Sequence, residues 1–297
     1  CVGRPRFAGA HALAGFPALA DFKTSLILDP SSIWIWSRAL VSILGTINVY
    51  VVYLISKKIF NSERAALFSA LFVALSFYHV QLSHMTRHWM PAITFTYLVW
   101  LAILYILENK RWKHYVWGGV AVGLAFVTNP SAIALLAPFS IIHAAKREFF
   151  SKKILVFSLL FAFCALLFIM LHPFGITFAE PTKGGLNPAG NLFWRLTHIF
   201  DRGFSGWIGL FMMYVRVLLK YETALFVFAI VGLWQAYKKR INRLIIFAAV
   251  AFMAVYVSII NFMLISFSRP LAMLLPILAV YSGLAFDRTL TGFSRFK

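Results

Sequence analysis

Between Arg38 and Phe286 the chain is a succession of apolar segments joined by loops that are alternately crowded with and nearly empty of Lys and Arg. One set of loops holds Lys57, Lys58 and Arg64; Lys110, Arg111 and Lys113; Lys146, Arg147, Lys152 and Lys153; Lys238, Lys239, Arg240 and Arg243; and finally Arg288, Arg295 and Lys297. The intervening loops hold Arg87 alone, no cation in 128–130, Arg269 alone, and five basic residues spread over 172–220. Lys and Arg near the ends of short spans are retained in the cytoplasm, so the alternation predicts a membrane topology with the crowded loops inside.

The apolar segments are 33–56, 64–81, 91–107, 112–127, 131–145, 154–171, 223–237, 244–261 and 271–286. Each is long enough, or nearly so, to cross about 30 Å of hydrocarbon as a helix. The predicted fold is an all-α membrane protein, a polytopic bundle of about nine transmembrane helices with extracytoplasmic interfacial helices. With 61% hydrophobic residues, 12% charged residues and a mean hydropathy of +0.82, the composition excludes a soluble domain with one core. The formal charge of +19 invites a nucleic-acid partner. Its distribution argues against one, because the cations report orientation.

Segment 207–219 is apolar enough to suggest a tenth span, but it is short and carries Arg216. Inserting it would also move the YKKRINR loop to the cation-poor side, so an interfacial or re-entrant helix is the expectation. Nine crossings place the C terminus in the cytoplasm and 1–32 outside. Because 1–22 has no initiator Met and no secretory signal, a preceding transmembrane helix and most of the first external loop are expected upstream of residue 1. Cys164 lies in mid-span and Cys1 at the start, so no disulfide is indicated.

The chain 1–297 reads as one membrane domain without repeats or linkers, with a long extracytoplasmic loop at 172–220. Within that loop, 191–200 places Leu192, Phe193, Leu196, Ile199 and Phe200 on one helical face and Arg195 and His198 on the other. This is the pattern of a helix lying on the membrane surface.

Chemistry is expected at the outer face, since the cytoplasmic loops are short and basic. The turn SHMTRHWMP at 83–91 packs His84, Arg87 and His88 between two spans. These residues suit an anionic head group such as a polyprenyl phosphate, for which Arg offers forked donors; the simpler alternative is that they solvate the turn while Trp89 anchors the interface. Arg269 stands at the mouth of the last span, where Pro270 suits a first helical turn, and a snorkelling role is the simpler alternative. Arg38 lies a turn or two inside the first span. Insertion of such a group costs about 2.5–3.5 kcal/mol at mid-membrane, so it should face protein or water and find a partner.

The clearly external carboxylates are Asp21, Asp29, Glu180 and Asp201, with Glu222 at a boundary. No pair of them has a spacing that compels a general-base assignment. Asp29 is the candidate catalytic carboxylate, although capping the helix that starts near Ser31 is its simpler role. His84 and His88 are four residues apart and could share a helix face. With no carboxylate nearby, no metal site is assigned, and no cofactor is implied beyond, at most, a divalent cation.

The order of several motifs resembles a known family. RALVSILGTINVYVVYLISKKIFNSERAALFSA leads into QLSHMTRHWMP, followed by WGGVAVGLAFVTNPSAIALLAPF and later by SRPLAMLLPILAVYSG. This series is similar to the polytopic glycosyltransferases of the C type, in particular the prokaryotic branch related to dolichyl-phosphate-mannose protein mannosyltransferases and aminoarabinose transferases. The resemblance implies a hexosyl- or pentosyltransferase in a prokaryotic plasma membrane. Such an enzyme moves a sugar from a polyprenyl-phosphate carrier to an acceptor on the extracytoplasmic side, with inversion at the anomeric carbon. Its partners are the lipid-linked donor and the bilayer.

Carried over by position, His84 and Arg87 would line the carrier-phosphate site and Arg269 would add a second phosphate contact. The HPFG turn at His172 and Pro173 matches a place where relatives cap the long external loop. Two departures stand out. The Asp-Glu motif that supplies the base in such enzymes is absent, so the chain alone is expected to be inactive, and RHW stands where relatives commonly have an acidic residue. The competing functional class is a transporter or flippase of lipid-linked sugars, which would also need outer cations. Against it, 128–130 is one helix break without a matched partner of the kind inverted repeats provide. A third is a noncatalytic scaffold.

Overall fold

The computed structural model describes residues 31–109, 111–146, 151–171, 203–262 and 269–293. Among these residues there are helices and turns and no strand. The α-helices are α1 (Ser31–Phe60), α2 (Glu63–Leu75), α3 (Phe77–Ser83), α4 (Trp89–Glu108), α5 (Trp112–Thr128), α6 (Leu136–Ala145), α7 (Lys152–Leu171), α8 (Gly203–Tyr221), α9 (Thr223–Lys238), α10 (Arg243–Phe262) and α11 (Leu275–Phe293). Two 3-10 turns, Pro130–Leu135 and Arg269–Leu274, lead into α6 and α11. The architecture is that of an all-α membrane protein.

Among the described residues, four helical stretches are long and apolar enough to cross a membrane: Trp34–Phe60, Trp89–Glu108, Arg243–Asn261 and Arg269–Gly292. The number rises to six if the bent pairs α2 with α3 and α8 with α9 each form one span. The expected span 64–81 is therefore broken. Ser76 closes α2 and opens α3, its backbone extended at φ −62° and ψ 127°, and the axes turn by 60°. Its hydroxyl accepts from the His79 amide at 3.2 Å, satisfying an otherwise unpaired N–H at the new helix start. Asn129 performs the same service where α5 ends. Its Oδ1 accepts from the Ser131 amide at 3.2 Å and the Ser131 hydroxyl at 2.6 Å, and Pro130 fits the first position of the following turn.

The final span is the most enclosed, with α11 wedged between α2 and α9. Gly232 makes the α9 contact possible, since a Cβ there would lie 1.9 Å from the Tyr281 carbonyl oxygen. Where lipid replaces water, helices associate through close backbone approach of this kind. Elsewhere the core is aliphatic and aromatic, with Val52, Met90, Ile93, Ile103, Phe252 and Leu271 all essentially inaccessible.

Polar contacts sort to the two ends. At one end Lys57 pairs with Glu63 at 2.7 Å, Lys58 with Glu108, and Lys146 with the Leu107 carbonyl. Asn242 donates to the Ile59 carbonyl at 3.1 Å and Ser62 to Asp287 at 3.5 Å. These are the cation-rich loops of the sequence, gathered together. The other end holds Ser83, Asn129, the Arg269–Leu274 turn and Glu222: Asn129 Nδ2 meets Met273 Sδ at 3.2 Å, and Tyr256 donates to the Pro270 carbonyl at 2.9 Å.

Helix α8 contains the doubtful segment 207–219. It meets α9 at 108°, turning at Glu222. Leu210, Tyr214 and Leu218 are buried, and the helix is pinned by Asn261 Nδ2 donating to the Trp207 carbonyl at 2.9 Å. Exposed Ile208, Phe211, Met212 and Leu219 form a second face, and Ser205, Arg216 and Lys220 a third. Such a three-sided helix, nearly perpendicular to an apolar one, has the form of an interfacial helix. The expected surface helix at 191–200 lies outside the described residues.

Candidate functional site

Helices α1, α2 and α3 enclose a lateral groove of about 720 Å³. Val49, Tyr50, Tyr53, Leu67, Ala70 and Ala74 line its length, and Ser42, His79, Ser83 and His84 gather toward one end. The groove follows from the break at Ser76, because a straight continuation of α2 would not turn α3 by 60°. At its far end α3 is held to α1: Ser42 Oγ donates to the Ser83 carbonyl at 3.0 Å, and a Cβ on Gly45 would stand 2.8 Å from that of Ser83. The site is thus a long apolar trough with a polar head.

His84 ends α3 and is exposed on the groove rim. The turn that follows is fastened by half-buried Met85 and buried Trp89, leaving Arg87 and His88 exposed. His88 precedes α4, so His84 and His88 belong to different helices and share no helix face. The His88 ring centroid lies 4.6 Å from that of Trp89. Desolvation, and after it the adjacent Arg87 charge, pushes the His88 pKa below the ordinary 6.5.

Arg38 stands one turn before Ser42 on α1 and is exposed. Its partner is aromatic: the guanidinium lies 6.0 Å from the Trp34 ring centroid. Arg269 opens a 3-10 turn rather than the first α-turn, is half-buried, and belongs to a segment packed on α3 and α4. The geometry therefore joins His84 directly to the groove, sets Arg38 on the helix that forms one wall, and sets Arg87 and His88 on the turn beyond its head. Asp29, the candidate base, lies outside the described residues, as do Asp21, Glu180, Asp201 and His172. Among the described residues no three of His, Cys, Asp and Glu meet in a way that could hold a metal ion.

Three participants were not legible as such. His79 reads in sequence as one polar residue in an apolar run, yet it lines the groove. Ser76 reads as a small residue in mid-span, yet it makes the break. Glu222 reads as a boundary carboxylate, yet it is 4% exposed and accepts from Ser76 Oγ at 2.7 Å and the Tyr78 amide at 2.8 Å. The available signal was the cost of a carboxylate between two strongly apolar helices, which demands a donor.

The sequence profile of the dolichyl-phosphate-mannose-protein mannosyltransferase family matches residues 17–172, more than half of the chain. The chain belongs to this family. No curated protein and no solved structure matches it. The match contains α1 to α7 and with them every groove-lining residue, whereas Glu222 and Arg269 lie beyond it. Membership in the mannosyltransferase family makes the chain a multi-pass membrane glycosyltransferase, and implies a lipid-linked sugar donor.

Proposed function

We propose that this glycosyltransferase moves a sugar from a polyprenyl-phosphate carrier to an acceptor on the extracytoplasmic face of a prokaryotic plasma membrane, inverting the anomeric carbon. The observation that carries the reading is the groove, apolar along its length and polar at the end where His84 stands. A polyprenyl chain needs an apolar trough open to lipid, and its phosphate needs donors at the trough's end. His84, Arg87, His88 and Arg38 are the donors in this reading, with Arg269 a further phosphate contact.

In the transfer, an acceptor oxygen bonds to the anomeric carbon, the bond from that carbon to the phosphate oxygen breaks, and that oxygen keeps the electron pair. The acceptor proton passes to a carboxylate, for which Asp29 is the candidate by position. Negative charge grows on the departing phosphate as the bond lengthens. Fixed cations beside it therefore stabilise the transition state more than the ground state. In proteoliposomes of the full-length protein, Arg87→Ala should lower turnover of a polyprenyl-phosphate sugar by about 10²-fold, the scale of losing one such donor, while leaving the unfolding midpoint unchanged. Unchanged turnover would remove Arg87 from the site. Translocation of the intact lipid-linked sugar without its consumption would instead establish a flippase.

A further inference from the structure

We propose that Glu222 is a positioning residue for the polar head of the groove, acting through Ser76 and Tyr78 at the start of α3. The inference rests on the donor site proposed above.

Helix α3 has seven residues, too few to hold its own shape, so its placement is set by what grips its two ends. Its far end is tied to α1 through Ser42 and Ser83. Its near end meets the corner between α8 and α9. There Glu222 receives the Ser76 hydroxyl and the Tyr78 amide on one oxygen, Oε1. The Tyr221 ring stacks on Phe77 with centroids 5.0 Å apart and meets Tyr78 edge-on at 6.0 Å. Between these two grips lie His79 and, at the end, Ser83 and His84, which make the polar head.

Helix packing alone would not call for a carboxylate here. Glu222 is the one buried carboxylate among the described residues, and among them it has no salt-bridge partner. An apolar side chain of similar size would avoid the cost of burying it. What Glu222 supplies is a directed acceptor. The Ser76 hydroxyl accepts from His79 N and donates to Glu222, so the carboxylate fixes the orientation of the capping hydroxyl as well as the Tyr78 amide in the first turn of α3. The 60° break is thereby held at one angle, and with it the distance between His84 and the α1 wall.

The test compares wild type with Glu222→Gln, Glu222→Ala and Ser76→Ala, reading amide hydrogen exchange across α3 and the kinetics of a polyprenyl-phosphate sugar donor. Gln keeps an accepting oxygen and should behave like wild type in both. Glu222→Ala should speed exchange of the Tyr78 and His79 amides at least about tenfold with α4 unaffected, and raise the donor KM about tenfold while the acceptor KM stays constant. Should Glu222→Ala fail to fold, Ser76→Ala carries the same comparison with smaller shifts in the same directions. Wild-type exchange in the Ala variants overturns the proposal. So does faster exchange with an unchanged donor KM, or a Gln variant as impaired as Ala. If wild type neither binds nor consumes a polyprenyl-phosphate sugar, the donor reading falls, and the exchange comparison still decides whether Glu222 anchors α3.

Discussion

At His88, environment and a neighbouring charge act in the same direction. The residue stands next to Arg87 on one side and against Trp89 on the other, and its pKa lies below 6.5. Because the unfolded chain binds that proton more readily, the contribution of His88 to stability is complete above pH 6.5 and declines as the pH falls below it. The ring is accordingly neutral near pH 7 and can accept or donate one hydrogen bond, whereas Arg87 supplies fixed charge. A titration of ring-labelled histidine should give a midpoint below 6.5 for His88, and Arg87→Gln should raise that midpoint without restoring it fully, since desolvation persists. A midpoint at or above 6.5 in the unaltered protein would contradict this geometry.

Among the elements, the helix breaks matter more than the helices. Sequence periodicity and hydropathy located nearly every helix among the described residues, because a long apolar run has few other ways to satisfy its backbone in lipid. They placed 64–81 as one span, since a single Ser barely lowers the hydropathy averaged over so long an apolar run. What decides there is a hydroxyl bonding the His79 amide and a carboxylate 146 residues away, a contact between distant positions that no local pattern encodes. Arg87 and His84 were legible because charge and imidazole between two apolar runs are conspicuous; His79 was not, because its place in the groove depends on the bend. Close approach between elements is equally invisible until the backbone is seen. Gly232→Ala should lower stability by about 1–3 kcal/mol, since its methyl would meet the Tyr281 backbone rather than a yielding side chain. Gly209→Ala, with nothing within 4 Å, should be neutral or slightly stabilising, through helix propensity. Thermal unfolding in detergent separates the two, and equal midpoints would contradict the packing of α9 on α11.

For the whole molecule, the alternation of cations in the loops and the sorting of polar contacts to two ends are one fact seen at two resolutions. Lys57, Lys58, Lys146 and Asn242 gather at one end, and Ser83, Asn129 and Glu222 at the other. The proposed chemistry depends on which compartment the second end faces. That is settled most directly by labelling single cysteines with a membrane-impermeant thiol reagent in intact cells, using Thr86→Cys and Asn109→Cys with Cys1 and Cys164 replaced by Ser. The account predicts that the cysteine at 86 is labelled from outside and the one at 109 only after the membrane is opened. Labelling at 109 from outside, with 86 protected until lysis, would invert the topology and contradict transfer at the outer face.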